Sequence, residues 1–162
     1  MRRAEELRYA VLAAQREGNR VLAAALRELG LTPAWAEALV VLDEWSPLTV
    51  RQLGDLLVCE GDHPSRLVDR MARAGLVERA ASTSDRRAVE LRLSSRGGVL
   101  VPQVRVVEDG LYSAIEELLP DEAVDTVVAI LGALVSGRPA GEALERRRSH
   151  QGDGRSSPGS VG

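Results

Sequence analysis

Ser65-Arg66-Leu67-Val68-Asp69-Arg70-Met71-Ala72-Arg73-Ala74-Gly75-Leu76-Val77-Glu78-Arg79-Ala80 is the stretch whose reading decides the fold. Leu67, Val68 and Met71 recur at helical spacing, which leaves His63, Ser65, Arg66, Asp69, Arg70 and Arg73 facing outward. Gly75-Leu76 then ends the helix: the glycine takes the left-handed position and the leucine packs back on the last turn. Beyond it the apolar period changes from 3.6 to 2. Residues 77–80 and Val89-Glu90-Leu91-Arg92-Leu93 read as two strands, with Val89, Leu91 and Leu93 on one face. The polar, turn-rich link at residues 81–87 makes them a hairpin.

Upstream, Thr49-Val50-Arg51-Gln52 is a capping box that opens a short helix, with Leu53, Leu56 and Leu57 facing inward. The pattern breaks at residues 58–62, and the next helix opens at Asp62 or His63, with Asp62 the expected N-cap and Pro64 in the first turn. Two short helices, a tight turn and a hairpin make a winged helix-turn-helix. Thr32 as N-cap and Pro33 at the first helical position open the helix before it, whose apolar stripe is Trp35, Leu39, Leu42 and Trp45.

Long helices flank this unit. Leu7, Val11, Ala14, Val21, Leu22, Ala25, Leu26 and Leu29 place residues 4–29 in an amphipathic helix that ends at Gly30. Ser94 caps a helix that reaches Leu118, with Leu100, Val104, Val107, Leu111, Ile115 and Leu118 spaced as a helix–helix seam, and Pro102 is expected to kink or delay it. Residues 121–135 are apolar nearly all round and must be buried on several sides. That is more apolar surface than a small winged domain needs, so a dimer is expected. The fold class is therefore mainly α with a small β-hairpin wing. Residues 1–30 and 98–137 form the dimerisation helices, 31–97 the winged DNA-binding domain, and 138–162, rich in Gly, Ser, Pro and Arg, a disordered tail.

Composition gives a misleading first answer. The 162 residues carry 21 basic and 24 acidic side chains, net −3, which counts against a nucleic-acid partner. By position, residues 98–137 hold one Arg against 7 acids, whereas residues 64–97 hold 8 Arg against 4 acids. A cationic surface of the kind a phosphate backbone needs is thus present and hidden in the total. Every basic residue is Arg, which a GC-rich coding bias explains. The longest apolar run, residues 127–135, is far short of the about 20 residues of a membrane span. One cysteine, Cys59, excludes an internal disulfide and suits a reducing cytoplasm. Glu60 and Asp62 disfavour its thiolate, so a small buried apolar role is expected for it. The only histidines, His63 and His150, are far apart, and no catalytic triad order, phosphate loop or metal spacing is present, so neither an enzyme nor a cofactor is expected.

Asp85-Arg86-Arg87…Leu91-Arg92-Leu93-Ser94-Ser95-Arg96-Gly97 resembles the D-x-R…L-x-L-(S/T)-x-x-G pattern of the MarR family of winged-helix transcription regulators. Leu31-Thr32-Pro33, Leu48-Thr49-Val50-Arg51-Gln52-Leu53 and Ser65-Arg66-Leu67-Val68-Asp69-Arg70-Met71 are similar to that family in the same order and spacing. The resemblance implies a cytoplasmic homodimer that binds a pseudo-palindromic operator in double-stranded DNA, usually as a repressor, often relieved by a small lipophilic, anionic or phenolic ligand. It implies that Arg87 enters the minor groove with Asp85 holding its guanidinium, and that Arg86 meets a phosphate. Independently, a second helix lying in the major groove would present His63, Ser65, Arg66, Arg70 and Arg73 to DNA, and Thr49 could offer its hydroxyl to a phosphate. Glu60, Gly61 and Asp62 depart from the small polar or basic residues usual in the family's turn. The branch of the family that senses peroxide carries its cysteine in the first helix, where this chain has none. The family's ligand cleft lies between the dimerisation helices and the winged domain, and Tyr9 and Trp35 are the candidates to line it. The alternative is a winged-helix interaction module that dimerises or docks a partner without binding DNA.

Overall fold

The computed structural model describes residues 2–59, 63–82 and 89–154, with side chains to residue 149. Helix α1 (Arg3–Leu26) runs into a 3-10 turn (Arg27–Leu29) that closes at Gly30, φ 68°, where the Leu31 amide donates back to the Leu26 carbonyl at 3.3 Å. The expected left-handed ending is therefore present. Helix α2 (Pro33–Trp45) starts where the Thr32 hydroxyl accepts from the Trp35 amide at 3.2 Å. Every residue from Ala36 to Leu42 is buried, so α2 is the centre of the core rather than a one-sided helix.

Strand β1 (Leu48–Thr49) leads into α3 (Val50–Gly54), and α4 (Pro64–Arg73) follows. Thr49 and Gln52 form the capping box read from the sequence. Strands β2 (Val77–Ala81) and β3 (Val89–Leu93) complete an antiparallel sheet of order β1-β3-β2, in which Leu48 stands opposite Leu91 and Val77 opposite Leu93. The sequence reading gave the hairpin but missed β1. Two residues that adjoin a helix cap carry no alternation; pairing with the free edge of β3 makes them a strand.

Helix α5 (Ser95–Leu118) begins against the α4–β2 corner. The Ser94 hydroxyl accepts from the Gly97 amide at 3.0 Å and donates to the Gly75 carbonyl at 2.6 Å. A Cβ at Gly97 would stand 2.1 Å from the Leu76 carbonyl oxygen, so only glycine fits this crossing. The Ser-x-x-Gly pattern is thus a packing device that fixes the end of α4 on α5. Pro102, expected to kink or delay α5, does not delay it: the helix starts at Ser95 and is assigned continuously through Pro102.

Helix α6 (Asp121–Val135) has no buried residue within the chain, and Val127, Val128, Ile130 and Leu134 remain exposed, so the cover expected for it does not come from its own chain. One expectation needs correction. Residues 138–162 are not a disordered tail as a whole, because Pro139–Gly154 form helix α7. Pro139 opens that helix, Ala143 is buried, and a Cβ at Gly141 would stand 2.1 Å from the Val135 carbonyl oxygen. The Gly and Pro that suggested disorder are what make the tight α6–α7 corner possible.

Candidate nucleic-acid interface

Helix α4 is seated by three side chains without solvent exposure, Leu67, Val68 and Met71. Its end is locked by Gly75 at φ 69° and by the Leu76 amide donating to the Met71 carbonyl at 3.0 Å. With the inner face and the last turn fixed, the outer face points one way. His63, Ser65, Arg66, Asp69, Arg70 and Arg73 are all exposed, and His63, Arg66, Asp69, Arg70 and Arg73 line one open concavity. The N-cap is His63 rather than Asp62, with Pro64 in the first turn; residues 60–62 lie outside the described residues.

Asp69 does not face outward unengaged. It accepts from Arg79 of β2 at 2.5 Å, and its carbonyl accepts from the Arg73 guanidinium at 3.2 Å. The helix is thereby tied to the wing sheet, and Arg79 joins the cationic face. Sequence reasoning missed Arg79, although the excess of Arg over residues 64–97 includes it. At the wing's base, the Ser82 hydroxyl donates to the Glu90 carboxylate. Asp85, Arg86 and Arg87 lie outside the described residues.

Thr49 is committed to its cap. Its hydroxyl accepts from the Gln52 amide at 3.2 Å and donates to Gln52 Oε1 at 2.9 Å. A hydroxyl has one proton to give, and Gln52 holds it. Arg51 on the same helix is exposed.

Tyr9 and Trp35 are not brought together within the chain. Sixteen residues of α1 lie between Tyr9 and Leu26, a separation of about 26 Å at helical rise. Trp35 sits just past that end, half-buried against the core, whereas Tyr9 is exposed with the Arg8 guanidinium 5.2 Å from its ring centroid. One small ligand cannot touch both within a chain.

Cys59 is exposed rather than buried as expected. Packed atoms around its thiol, then the charge and hydrogen bonding of Glu37, push its pKa up to about 12. Glu37, distant in sequence, is a carboxylate that the sequence argument did not name; Glu60 and Asp62 lie outside the described residues. Alkylation of Cys59 by iodoacetamide at pH 8 is expected to be at least about tenfold slower than that of free cysteine. A rate equal to free cysteine's would show that the thiolate is accessible after all.

Elsewhere, α1 and α6 border an open apolar groove of about 520 Å³ lined by Leu7, Ala10, Val11, Ala14, Val127, Ile130 and Leu131. No helix among the described residues is long and apolar enough to cross a membrane.

Comparison with known proteins follows the same lines. A family model described as MarR family matches residues 29–88, which run from the end of the first helical segment through β2 and stop before β3. The chain is 28% identical over 149 residues to the organic hydroperoxide resistance transcriptional regulator of Bacillus subtilis (strain 168), covering 92% of this chain and 86% of that protein. It is 22% identical over 129 residues to the HTH-type transcriptional repressor MdtR of the same organism, covering 80% and 81%. Among solved structures, a mutant of MarR from E. coli complexed with operator DNA superimposes with a TM-score of 0.72 at 23% identity, over 80% of this chain and 94% of that one.

Proposed function

We propose that this winged-helix chain, whose residues 29–88 match a MarR family model, belongs to that family and acts as a homodimeric, cytoplasmic transcription regulator, a repressor, that reads a pseudo-palindromic site in double-stranded DNA. The observation that carries the reading is the α4 face: three wholly buried apolar side chains fix the helix while Arg66, Arg70 and Arg73 stand exposed on its other side. Arg66 and Arg70 are one turn apart, so one can meet a guanine edge while the other holds a phosphate. Arg51 of α3 and Arg79 of β2, the latter paired with Asp69, are exposed as well. The relatives' names, a transcriptional regulator and a transcriptional repressor, support the same class of function.

Dimerisation is supported by what one chain leaves uncovered. Apolar side chains on α1 and α6 border a groove left open among the described residues, and a second copy would supply the missing apolar face. Two α4 helices related by a two-fold axis then meet half-sites about 34–36 Å apart. A hydroperoxide-sensing role is not carried over, since α1 has no cysteine and the Cys59 thiol is held protonated.

Selection of bound sequences from a random duplex pool tests the reading, and retention on heparin or random duplex that falls with salt separates it from a docking module. Binding that ignores salt, with no enriched sequence, would favour the docking module. In the wing, Arg87→Ala is expected to leave folding intact and to weaken binding to the selected duplex about tenfold or more, the scale of one lost charge-assisted contact. An unchanged mobility-shift titration would remove Arg87 from the interface.

A further inference from the structure

Glu37 is a carboxylate in the middle of the most buried helix. It lies between Ala36 and Ala38 on α2 and is 7% exposed. A charge in such a place persists only if it is paired and hydrogen-bonded. Glu37 has three donors: the Val58 amide to Oε1 at 2.8 Å, the Cys59 amide to Oε2 at 2.8 Å, and the Arg147 guanidinium to Oε1 at 2.7 Å. The first two are consecutive amides of the segment that leads from α3 towards α4. The third comes from α7, 110 residues away in sequence.

The neighbouring residue on α7 reaches the other side of the same segment. Arg146 donates to the Asp55 carbonyl, at the end of α3, at 2.7 Å, and is itself held by Glu142 at 3.1 Å. Adjacent arginines of α7 thus grip the stretch 55–59 at both ends, one through a backbone carbonyl and one through the carboxylate beneath its amides. Arg147 also faces Glu108 of α5, whose carboxyl is pushed up by burial and pulled back by Arg147 and Arg105. Removing Arg147 would leave two partly desolvated carboxylates with that much less counter-charge.

We propose that Glu37 is the positioning residue of the DNA-reading helix, and that the C-terminal helix α7, through Arg146 and Arg147, braces the helix-turn-helix in its DNA-reading geometry. The occupied carboxylate fixes where the chain leaves α3, and hence where α4 starts. Helix α7 couples that point to α6, the helix whose apolar face is left for a second copy. A change in how α7 sits would therefore reach the DNA-facing helix without any residue of α7 touching DNA. The effect on DNA rests on the function proposed above; the bracing itself does not.

The full-length chain, its Arg147→Met, Glu37→Gln and combined variants, and Arg147→Lys as the charge-retaining control decide the matter by two measurements. Amide hydrogen exchange at Val58 and Cys59 reads the brace without DNA. In Arg147→Met it is expected to rise about tenfold or more, the scale of a lost charge-assisted bond. Affinity for a duplex selected from a random pool is expected to fall about tenfold or more, while affinity for random-sequence duplex, which rests on phosphate contacts, stays within about threefold. Arg147→Lys should restore most of both. The combined variant should lose less than the two single changes together, because a neutral amide at position 37 no longer needs the cation. Unchanged exchange in Arg147→Met would overturn the brace, as would equal losses on selected and random duplex with a lowered melting temperature. If no duplex can be selected, the proposed function fails, and the exchange result still decides the role of α7.

Discussion

Replacing Arg66 and Arg70 together with alanine is expected to weaken binding to the selected duplex by about 10²-fold or more with no loss of fold. A bidentate contact to a base edge discriminates by about 1–3 kcal/mol, and a second lost charge contact adds to it. Both side chains are exposed, and the core beneath them is made by Leu67, Val68 and Met71, so melting temperature should be unmoved. The two singles separate the roles. An arginine that reads a base changes the ratio of specific to random binding. One that holds a phosphate weakens both and lowers the slope of log K against log salt by about 1. Anisotropy titrations at two salt concentrations make the distinction. Wild-type affinity in the double variant would mean that α4 does not enter the groove.

The second large effect is expected from Ile130→Glu on α6. Ile130 is 51% exposed in one chain, and it lines the groove shared with Leu7, Ala10, Val11 and Ala14 of α1. Filling that groove with a second copy would bury several large aliphatic side chains, each worth about 1.5–3 kcal/mol when fully covered. A carboxylate in the middle of such a seam has no cation at hand, since the groove is lined by apolar residues and Gln15. The variant should run as a 17.4 kDa monomer where the parent runs at twice that mass. It should also bind the selected duplex at least about 10²-fold more weakly, because the second half-site no longer adds through effective concentration. A variant that remains dimeric by light scattering would place the dimer contact elsewhere.

What the sequence disclosed and what it hid divide along one physical line. Signals confined to a few neighbouring residues were legible: the Thr32 and Ser94 caps, the Thr49–Gln52 capping box, and the left-handed glycines Gly30 and Gly75. The outward set on α4 followed from periodicity and is exposed as read. Features that depend on distant partners were not legible. Strand β1 exists because β3 offers it an edge, and Glu37 looked like one polar residue in an apolar run until Arg147 and the amides of Val58 and Cys59 surrounded it. Helix α7 was hidden by composition, since Gly141 and Pro139 resemble linker residues while serving a tight corner. For α6, apolarity all round required cover that the described residues do not supply, and the second copy proposed above would. Net charge misled for a related reason, because the acids of α5 and α6 outweigh in the total a cationic face they do not share.

The most direct test of the central claim is selection by the protein from a random duplex pool, followed by sequencing of what is retained at physiological salt. An inverted repeat should emerge with half-site centres one helical turn apart, about 10–10.5 base pairs, as two α4 helices on a two-fold axis require. Retained duplexes with no enriched sequence, or one enriched half-site without its inverted mate, would contradict a dimer that reads DNA through paired α4 helices.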